Sequence, residues 1–193
     1  MSTAVTQFTI RRKVFSLLGA KFHIFDAQDR VVGFCQQKAF KLKEDIRIYA
    51  DETKSRELLR IGARSIIDFA AAYDVVDSAS NTKIGALRRK GWQSMLRDTW
   101  SVLSPTEQEI GQIAEDSTAL ALVRRLLPLG NLVPQKFALR QGDGPALAEF
   151  RTHFNPFVYR LTVTVPANCP VSPYLVLGAG ILLAAIEGRQ QGG

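Results

Sequence analysis

The sequence has few of the residues that build disulfide frameworks and metal sites, since only two cysteines and two histidines occur among 193 residues. Cys35 and Cys169 lie far apart and have no neighbours at metal-ligand spacing, so they are interpreted as reduced core residues of an intracellular protein. A disulfide between them stays open as the alternative. His23 falls in a strand-like segment and His153 near a turn, where both are expected to be structural. No metal site is therefore predicted.

Signatures of catalysis are also missing. The sequence has no nucleophile elbow, no phosphate-binding loop and no dinucleotide-binding glycine fingerprint. Its turn aspartates stand where Asp accepts hydrogen bonds from its own backbone, which favours a turn role over calcium binding. These residues are Asp26, Asp51, Asp77 and Asp143. We therefore expect a non-enzymatic protein that needs no cofactor.

Targeting and charge-rich segments are absent as well. The first ten residues lack the apolar stretch of a secretory signal, and no basic tail or low-complexity run concentrates charge. The expected location is the cytoplasm, with a peripheral position at the membrane as the alternative. The net charge of +7 and the pI of about 9.7 favour acidic partners such as anionic phospholipid or nucleic acid. Nucleic acid is disfavoured, because Trp92 and Trp100 do not line a basic groove on which bases would stack.

Only one long hydrophobic run is present, at residues 174–186. Ser172 is a suitable N-cap, Pro173 suits the first helical position and Gly188 suits the end of a helix. Such a helix would be roughly 20 Å long, whereas a membrane span takes about 20 apolar residues. We therefore predict a core helix, with a C-terminal membrane anchor as the alternative. Its predicted core residues are Leu175, Leu177, Gly178, Gly180, Leu182 and Ile186.

The rest of the chain is predicted to form antiparallel hairpins. Five units each combine an alternating segment, a turn and a second alternating segment, at residues 21–34, 45–63, 73–87, 99–113 and 136–150. Two further strands are predicted at 11–18 and 157–165, the second with Phe157 on the same face as Tyr159. Closing twelve strands into a barrel removes exposed edges and leaves room for a helix about 10 Å across.

The predicted fold is therefore mainly β, a twelve-stranded antiparallel closed barrel around the central apolar C-terminal helix. Residues 11–189 are predicted to form this single domain, with tails at 1–10 and 190–193. A short crossover helix is expected at 119–127, where Arg124 and Arg125 either face solvent or form a basic lip. Glycines recur after aliphatic residues at Gly33, Gly62, Gly85 and Gly111, which favours the passage of the helix across these positions.

This organisation resembles the tubby C-terminal-like superfamily, which includes tubby proteins, phospholipid scramblases and the LURP-one-related proteins. The segments Phe22-His-Ile-Phe-Asp26 and Val31-Val-Gly-Phe34, and the ending from Phe154-Asn-Pro-Phe157 to residue 186, are most similar to the LURP-one-related branch. The resemblance covers residues 11–189 and implies a twelve-stranded barrel around a central helix. Tubby proteins bind phosphoinositides and scramblases move phospholipids, but no tubby headgroup-binding position and no scramblase-like calcium segment is matched.

The densest basic cluster is a candidate lipid-binding surface, and the solvated outer face of a strand is the alternative. Basic residues beside an interfacial aromatic side chain attract anionic headgroups, at about 1 kcal/mol per charge near the membrane. The candidates are Arg88, Arg89, Lys90, Trp92, Arg124 and Arg125. We expect a binding module that docks on anionic phospholipid or the membrane face. The alternatives are a membrane-anchored, lipid-moving protein and a protein-binding scaffold. No oligomeric state is predicted.

Overall fold

The computed structural model describes residues 5–13, 20–37, 45–64, 72–90, 99–116, 134–155 and 157–190. They form twelve strands and one helix. The strands are β1 Val5–Lys13, β2 Ala20–Phe25, β3 Val31–Gln37, β4 Ile46–Tyr49, β5 Glu57–Ala63, β6 Ala72–Asp77, β7 Thr82–Arg89, β8 Trp100–Leu103, β9 Glu109–Glu115, β10 Lys136–Arg140, β11 Ala146–His153 and β12 Val158–Pro166. The helix is α1, Pro173–Gln190. The crossover helix predicted at 119–127 lies outside the described residues.

The twelve strands form a closed antiparallel barrel in which each strand pairs with its neighbours in sequence, and β1 pairs with β12 to close it. This confirms the predicted mainly β, twelve-stranded barrel. The closing pair is long, from Val5 opposite Pro166 to Lys13 opposite Val158. The prediction that residues 1–10 form a tail is therefore wrong from Val5 onward, because this segment pairs with β12 and buries Ile10.

Helix α1 lies inside the barrel. Its side chains from Leu175 to Ala185 are buried all around the helix. Gly178 faces Ile61 and Val75 on one wall, whereas Gly180 faces Ile10 and Val163 on another. The predicted core positions Leu175, Leu177, Gly178, Gly180 and Leu182 are all buried, and the side chain of Ile186 lies outside the described residues. No helix in the described part of the chain combines the length and hydropathy that a membrane crossing requires.

Antiparallel alternation gives the barrel two different ends. The turns of the five hairpins, β2–β3, β4–β5, β6–β7, β8–β9 and β10–β11, all lie at one end, which we call the turn end. Strand β12 also finishes there, so α1 starts at the turn end and runs toward the other. That opposite end includes the β11–β12 loop with Phe154 and Phe157.

The five hairpins share the same irregularity at the turn end, a β-bulge directly after the turn. In each one the register shifts by one residue just after the turn, so an aliphatic residue is inserted into the second strand as a β-bulge. These residues are Val32, Leu58, Ile84, Ile110 and Leu147. Each preceding turn contains one residue with positive φ, respectively Asp29, Lys54, Asn81, Glu107 and Gly142. The predicted internal repeat therefore has a structural basis in five equivalent bulged hairpins.

The recurring glycines have different neighbours from those expected. A Cβ atom on Gly85 would lie 2.5 Å from Cδ2 of Leu175 in α1, so the helix does cross this position. At Gly33 and Gly111 the nearest atoms belong to Ile24 and Leu139 on neighbouring strands. Gly62 does not belong to the repeat, because the bulge of its hairpin is at Leu58, four residues earlier, whereas each of the other three glycines directly follows its bulge. Contact with α1 therefore accounts for glycine at position 85, and close packing between neighbouring strands accounts for Gly33 and Gly111.

Candidate functional site

The structure divides the basic cluster that the sequence singled out. Arg88 lies on the outer face of β7, and its guanidinium is 3.8 Å from a carboxylate oxygen of Glu107. Lys90 Nζ lies 3.7 Å from Oε1 of Glu109. Arg89 lies between these two residues in sequence. It is half-buried and points to the other face of the strand. Two of the three cations therefore share a face, and both stand beside acidic side chains.

The other three lipid-binding candidates, Trp92, Arg124 and Arg125, lie outside the described residues. Trp100 is buried, and its ring packs against Tyr73 with 6.1 Å between the ring centroids.

A different basic surface lies on the outer side of β10, β11 and β12. Strand register places Lys136 directly opposite Arg151, and His153 directly opposite Arg160. We call Lys136, Arg151 and Arg160 the cationic face. Within the described residues, none of these three has an ion-pair partner. Arg11 lies opposite Arg160 on β1, but it pairs with Asp29 and stacks on Phe25.

The electrostatics at His153 agree with a positive surface. Its Nε2 atom lies 2.9 Å from the Thr162 hydroxyl on the neighbouring strand. Burial lowers the pKa of His153 below its ordinary value, and the charges of Arg151 and Arg160 lower it further. The imidazole is therefore held neutral, and the positive charge of this surface resides in the arginine and lysine side chains.

Two exposed aromatic side chains stand beside the cationic face, at the end opposite the turns. Phe154 is 53% exposed and Phe157 is 70% exposed. The prediction that Phe157 lies within the last strand, on the same face as Tyr159, is wrong, because β12 begins one residue later, at Val158. The side chain of Asn155 accepts hydrogen bonds from the backbone N–H groups of Phe157 and Val158, which turns the chain before the strand starts.

The turn end contains a second feature, a cavity of about 570 Å³ between the barrel wall and the start of α1. Its inner wall is apolar and includes Ile24, Ile48, Leu59 and Leu177, all nearly inaccessible to solvent. The rim carries the first hairpin turn, in which Arg30 Nε donates to Oδ2 of Asp26 at 2.7 Å. No sequence pattern predicts this cavity, because its lining comes from three separate parts of the barrel and from the helix.

A dense ion-pair network on the outer surface of β5–β7 has a structural explanation. Arg64 donates to both Asp74 and Glu107, and Lys83 pairs with the same two carboxylates. Hydrogen bonds from Arg64 and Lys83 lower the pKa of Glu107 to about 2. The network links the β8–β9 turn to the neighbouring strands. We therefore infer that its role is to stabilise the folded barrel.

The possible metal ligands and the two thiols are the reactive side chains that remain to be placed. No three His, Cys, Asp or Glu side chains in the described part of the chain are grouped as metal ligands. Cys35 and Cys169 are both free thiols. Burial raises the pKa of the Cys35 thiol to about 12, so it stays protonated at neutral pH.

The fold and the repeat agree with a comparison against known families. A sequence model of the LURP-one-related family matches residues 31–182, most of the chain. The chain belongs to the LURP-one-related family. No curated protein matches it significantly. The match begins at β3, so the two strands before it, β1 and β2, complete the barrel of this LURP-one-related protein without being part of the matched region.

Family membership places the protein in the superfamily with the tubby-like fold, as the resemblance of its hairpins and final helix implied. It gives the fold and leaves the activity open. The surfaces described above are therefore the basis on which a function is proposed.

Proposed function

We propose that this LURP-one-related protein is a non-enzymatic binding module of the cytoplasm that docks on anionic phospholipid at the membrane face. The observation that supports the proposal is the cationic face, whose three basic side chains have no acidic partner within the described residues. The basic residues of β7, in contrast, stand close to Glu107 and Glu109. A cation that already has a carboxylate beside it gains less from a lipid headgroup.

The exposed phenylalanines give this surface an apolar anchor. Phe154 and Phe157 lie in the loop that joins β11 to β12, the two strands that supply Arg151 and Arg160. Aromatic side chains next to basic residues suit the interfacial region of a bilayer, where rings enter the boundary and cations stay with the headgroups. The buried helix α1 has no part in this contact, since the barrel encloses it.

The expected strength follows from the charges. Each basic residue near an anionic membrane contributes about 1 kcal/mol, and salt screens the attraction within about 10 Å at 0.1 M. Removing two residues of the cationic face would therefore cost about 2 kcal/mol, or roughly thirtyfold in affinity.

Liposome flotation with two charge-matched variants tests the proposal. The first variant is Arg151→Gln with Arg160→Gln, and the control is Arg88→Gln with Lys90→Gln, which removes the same number of charges from β7. Vesicles contain phosphatidylserine in phosphatidylcholine, or phosphatidylcholine alone. We expect the wild type and the control to float with the anionic vesicles, and the first variant to lose most of its binding.

Two results would contradict the proposal. One is a wild-type protein that fails to float with anionic vesicles at low salt. The other is an equal loss in both variants, which would mean that net charge rather than the cationic face determines binding. A third variant, Phe154→Ser with Phe157→Ser, should weaken flotation without changing the net charge.

A further inference from the structure

The first hairpin departs from the repeat at the cavity. The bulged residues of the other four hairpins, Leu58, Ile84, Ile110 and Leu147, are packed against the core. Val32, the equivalent residue of the first hairpin, is 37% exposed and lines the cavity, whose wall also includes Leu58 of the second hairpin. Of the five bulged residues, Val32 is therefore the one that is exposed at the cavity and not packed against the core.

Exposed apolar side chains concentrate at the mouth of this cavity. Of the six large hydrophobic side chains that are exposed in the described residues, Val5, Val32 and Tyr174 line the cavity, and Val31 is next to it in sequence. The other two, Phe154 and Phe157, are at the opposite end of the barrel. An apolar rim above an apolar wall extends the hydrophobic surface from the interior to solvent.

The size and lining of the cavity suit a small apolar ligand. Its volume of about 570 Å³ falls within the usual range of ligand pockets, about 300–1,000 Å³. The inner wall carries no charged side chain, and an apolar cavity offers water too few hydrogen-bond partners to hold it well. An alkyl chain would bury against Ile24, Ile48 and Leu177.

The guanidinium of Arg30, at the rim, is placed to bind the polar end of such a ligand. The Asp26 carboxylate is already occupied, since it accepts from two backbone N–H groups of its own turn and from Arg30 Nε. The Arg30 side chain is 74% exposed, and its terminal nitrogens donate within the described residues only to Gln28, at 3.4 Å. Asp26 neutralises part of the charge of Arg30, but its ion pair engages Nε, whereas the contact of Arg88 with Glu107 engages a terminal nitrogen. The terminal nitrogens of Arg30 therefore remain able to donate to a carboxylate placed at the mouth.

We propose that this cavity is a binding site for a free fatty acid, with the alkyl chain against the inner wall and the carboxylate at Arg30. The site is independent of the proposed membrane docking, because it lies at the turn end and the cationic face borders the opposite end. A fatty acid is favoured over a neutral or cationic amphiphile by the guanidinium at the mouth.

Titration calorimetry with dodecanoic acid, below the concentration at which it forms micelles, tests the site. The blocking variant is Val32→Trp, which places a large ring in the mouth. Its matched control is Ile110→Trp, at the equivalent bulge of a hairpin that does not line the cavity. We expect at least tenfold weaker binding for Val32→Trp, and a change of less than twofold for Ile110→Trp.

Further variants keep the test decisive. Ala27→Trp, at an exposed turn residue of the rim, is the second blocking variant if Val32→Trp does not fold. Arg30→Gln should weaken dodecanoic acid at least fivefold and leave dodecan-1-ol nearly unchanged. Arg151→Gln with Arg160→Gln should bind dodecanoic acid like the wild type, whatever its behaviour on vesicles. Absence of wild-type binding, or equal effects of the two bulge variants, would overturn the proposal.

Discussion

At the residue scale, Gly85 shows how a single missing side chain allows the helix and the wall to meet. Its φ of 156° is one that side-chain-bearing residues rarely adopt, and an added Cβ atom would lie 2.6 Å from the backbone oxygen of Leu103 as well as 2.5 Å from Leu175. Neither the backbone nor a buried leucine can move away cheaply. Gly85 is therefore required by both conformation and space.

Substitution of this glycine should be costly. We expect Gly85→Ala to lower the free energy of unfolding by about 2–4 kcal/mol, because it combines strain with overpacking. Gly62→Ala is the control, since its Cβ atom would meet only an oxygen of the exposed Asp45 side chain, at 3.1 Å. Urea denaturation of both variants checks this, and equal losses of stability would show that the contact with α1 is unimportant.

The ion pairs of Glu107 predict a dependence of stability on pH. The pKa of this carboxyl is held at about 2, below its ordinary value of 4.5, by hydrogen bonds from Arg64 and Lys83. Its stabilising contribution is therefore present above about pH 4.5 and is lost as the pH falls toward 2. Because the side chain is 41% exposed, solvent screening should limit the effect to about 1 kcal/mol.

Urea midpoints measured between pH 5 and pH 2.5 check this dependence. Glu107→Gln should flatten the decline that the wild type shows in this range. Glu149→Gln, at an exposed carboxylate without an ion pair in the described residues, should decline like the wild type. A wild-type slope in Glu107→Gln would mean that the network contributes nothing to acid sensitivity.

At the element scale, the two glycines of α1 have different roles. A Cβ atom on Gly178 would meet Val75 and Ile61 at ordinary contact distances of 3.4 Å and more, whereas one on Gly180 would lie 2.8 Å from Cγ2 of Val163. Glycine inside a helix costs about 1 kcal/mol relative to alanine. That cost is needed at Gly180 for close approach to β12, and the neighbours of Gly178 do not require it.

The pair gives predictions of opposite sign. Gly178→Ala should raise the free energy of unfolding by up to about 1 kcal/mol, since the helix gains propensity without a clash. Gly180→Ala should lower it by about 1–2 kcal/mol, because Val163 and Ile10 must shift. Thermal and urea unfolding of the two variants decide the matter. Stabilisation by both would imply that the helix does not pack against β12 as closely as described.

Sequence patterns predicted the elements well where the determinants are local. The hairpins follow from alternation and turn residues, and the core helix follows from the apolar run at 174–186, with Pro173 as its first residue. The start of β1 was misplaced because Val5 and Thr6 gain their strand conformation from pairing with Val165 and Pro166, far away in sequence. Phe157 was misplaced because the Asn155 side chain sets the turn before β12.

The candidate site was less predictable for the same reason. Arg88, Arg89 and Lys90 are adjacent in sequence, but strand alternation separates Arg89 from the other two. Lys136, Arg151 and Arg160 are distant in sequence, and only the register of β10, β11 and β12 brings them together. The cavity depends on Val32 remaining outside the core, and no local pattern distinguishes Val32 from its equivalents in the other hairpins.

At the scale of the whole molecule, the closed barrel separates stability from binding. The helix and the inward faces of the strands make one buried core, so the most hydrophobic part of the chain is unavailable to partners. Exposed apolar side chains remain at the two ends, beside the cationic face at one and around the cavity at the other. The two proposed activities therefore belong to different ends and should be lost independently.

The orientation of the barrel on a membrane tests the proposed function most directly. An environment-sensitive fluorophore is attached to a cysteine introduced by Phe157→Cys. The control carries the same fluorophore at Asp143→Cys, in the β10–β11 turn at the turn end of the barrel. Both variants also carry Cys169→Ser. The buried, protonated thiol of Cys35 should stay unlabelled at neutral pH. With phosphatidylserine vesicles that contain brominated lipid, we predict a blue shift and quenching for the probe at 157 and neither for the probe at 143. Equal responses at both positions, or a response at 143 alone, would contradict docking through the cationic face and its phenylalanines.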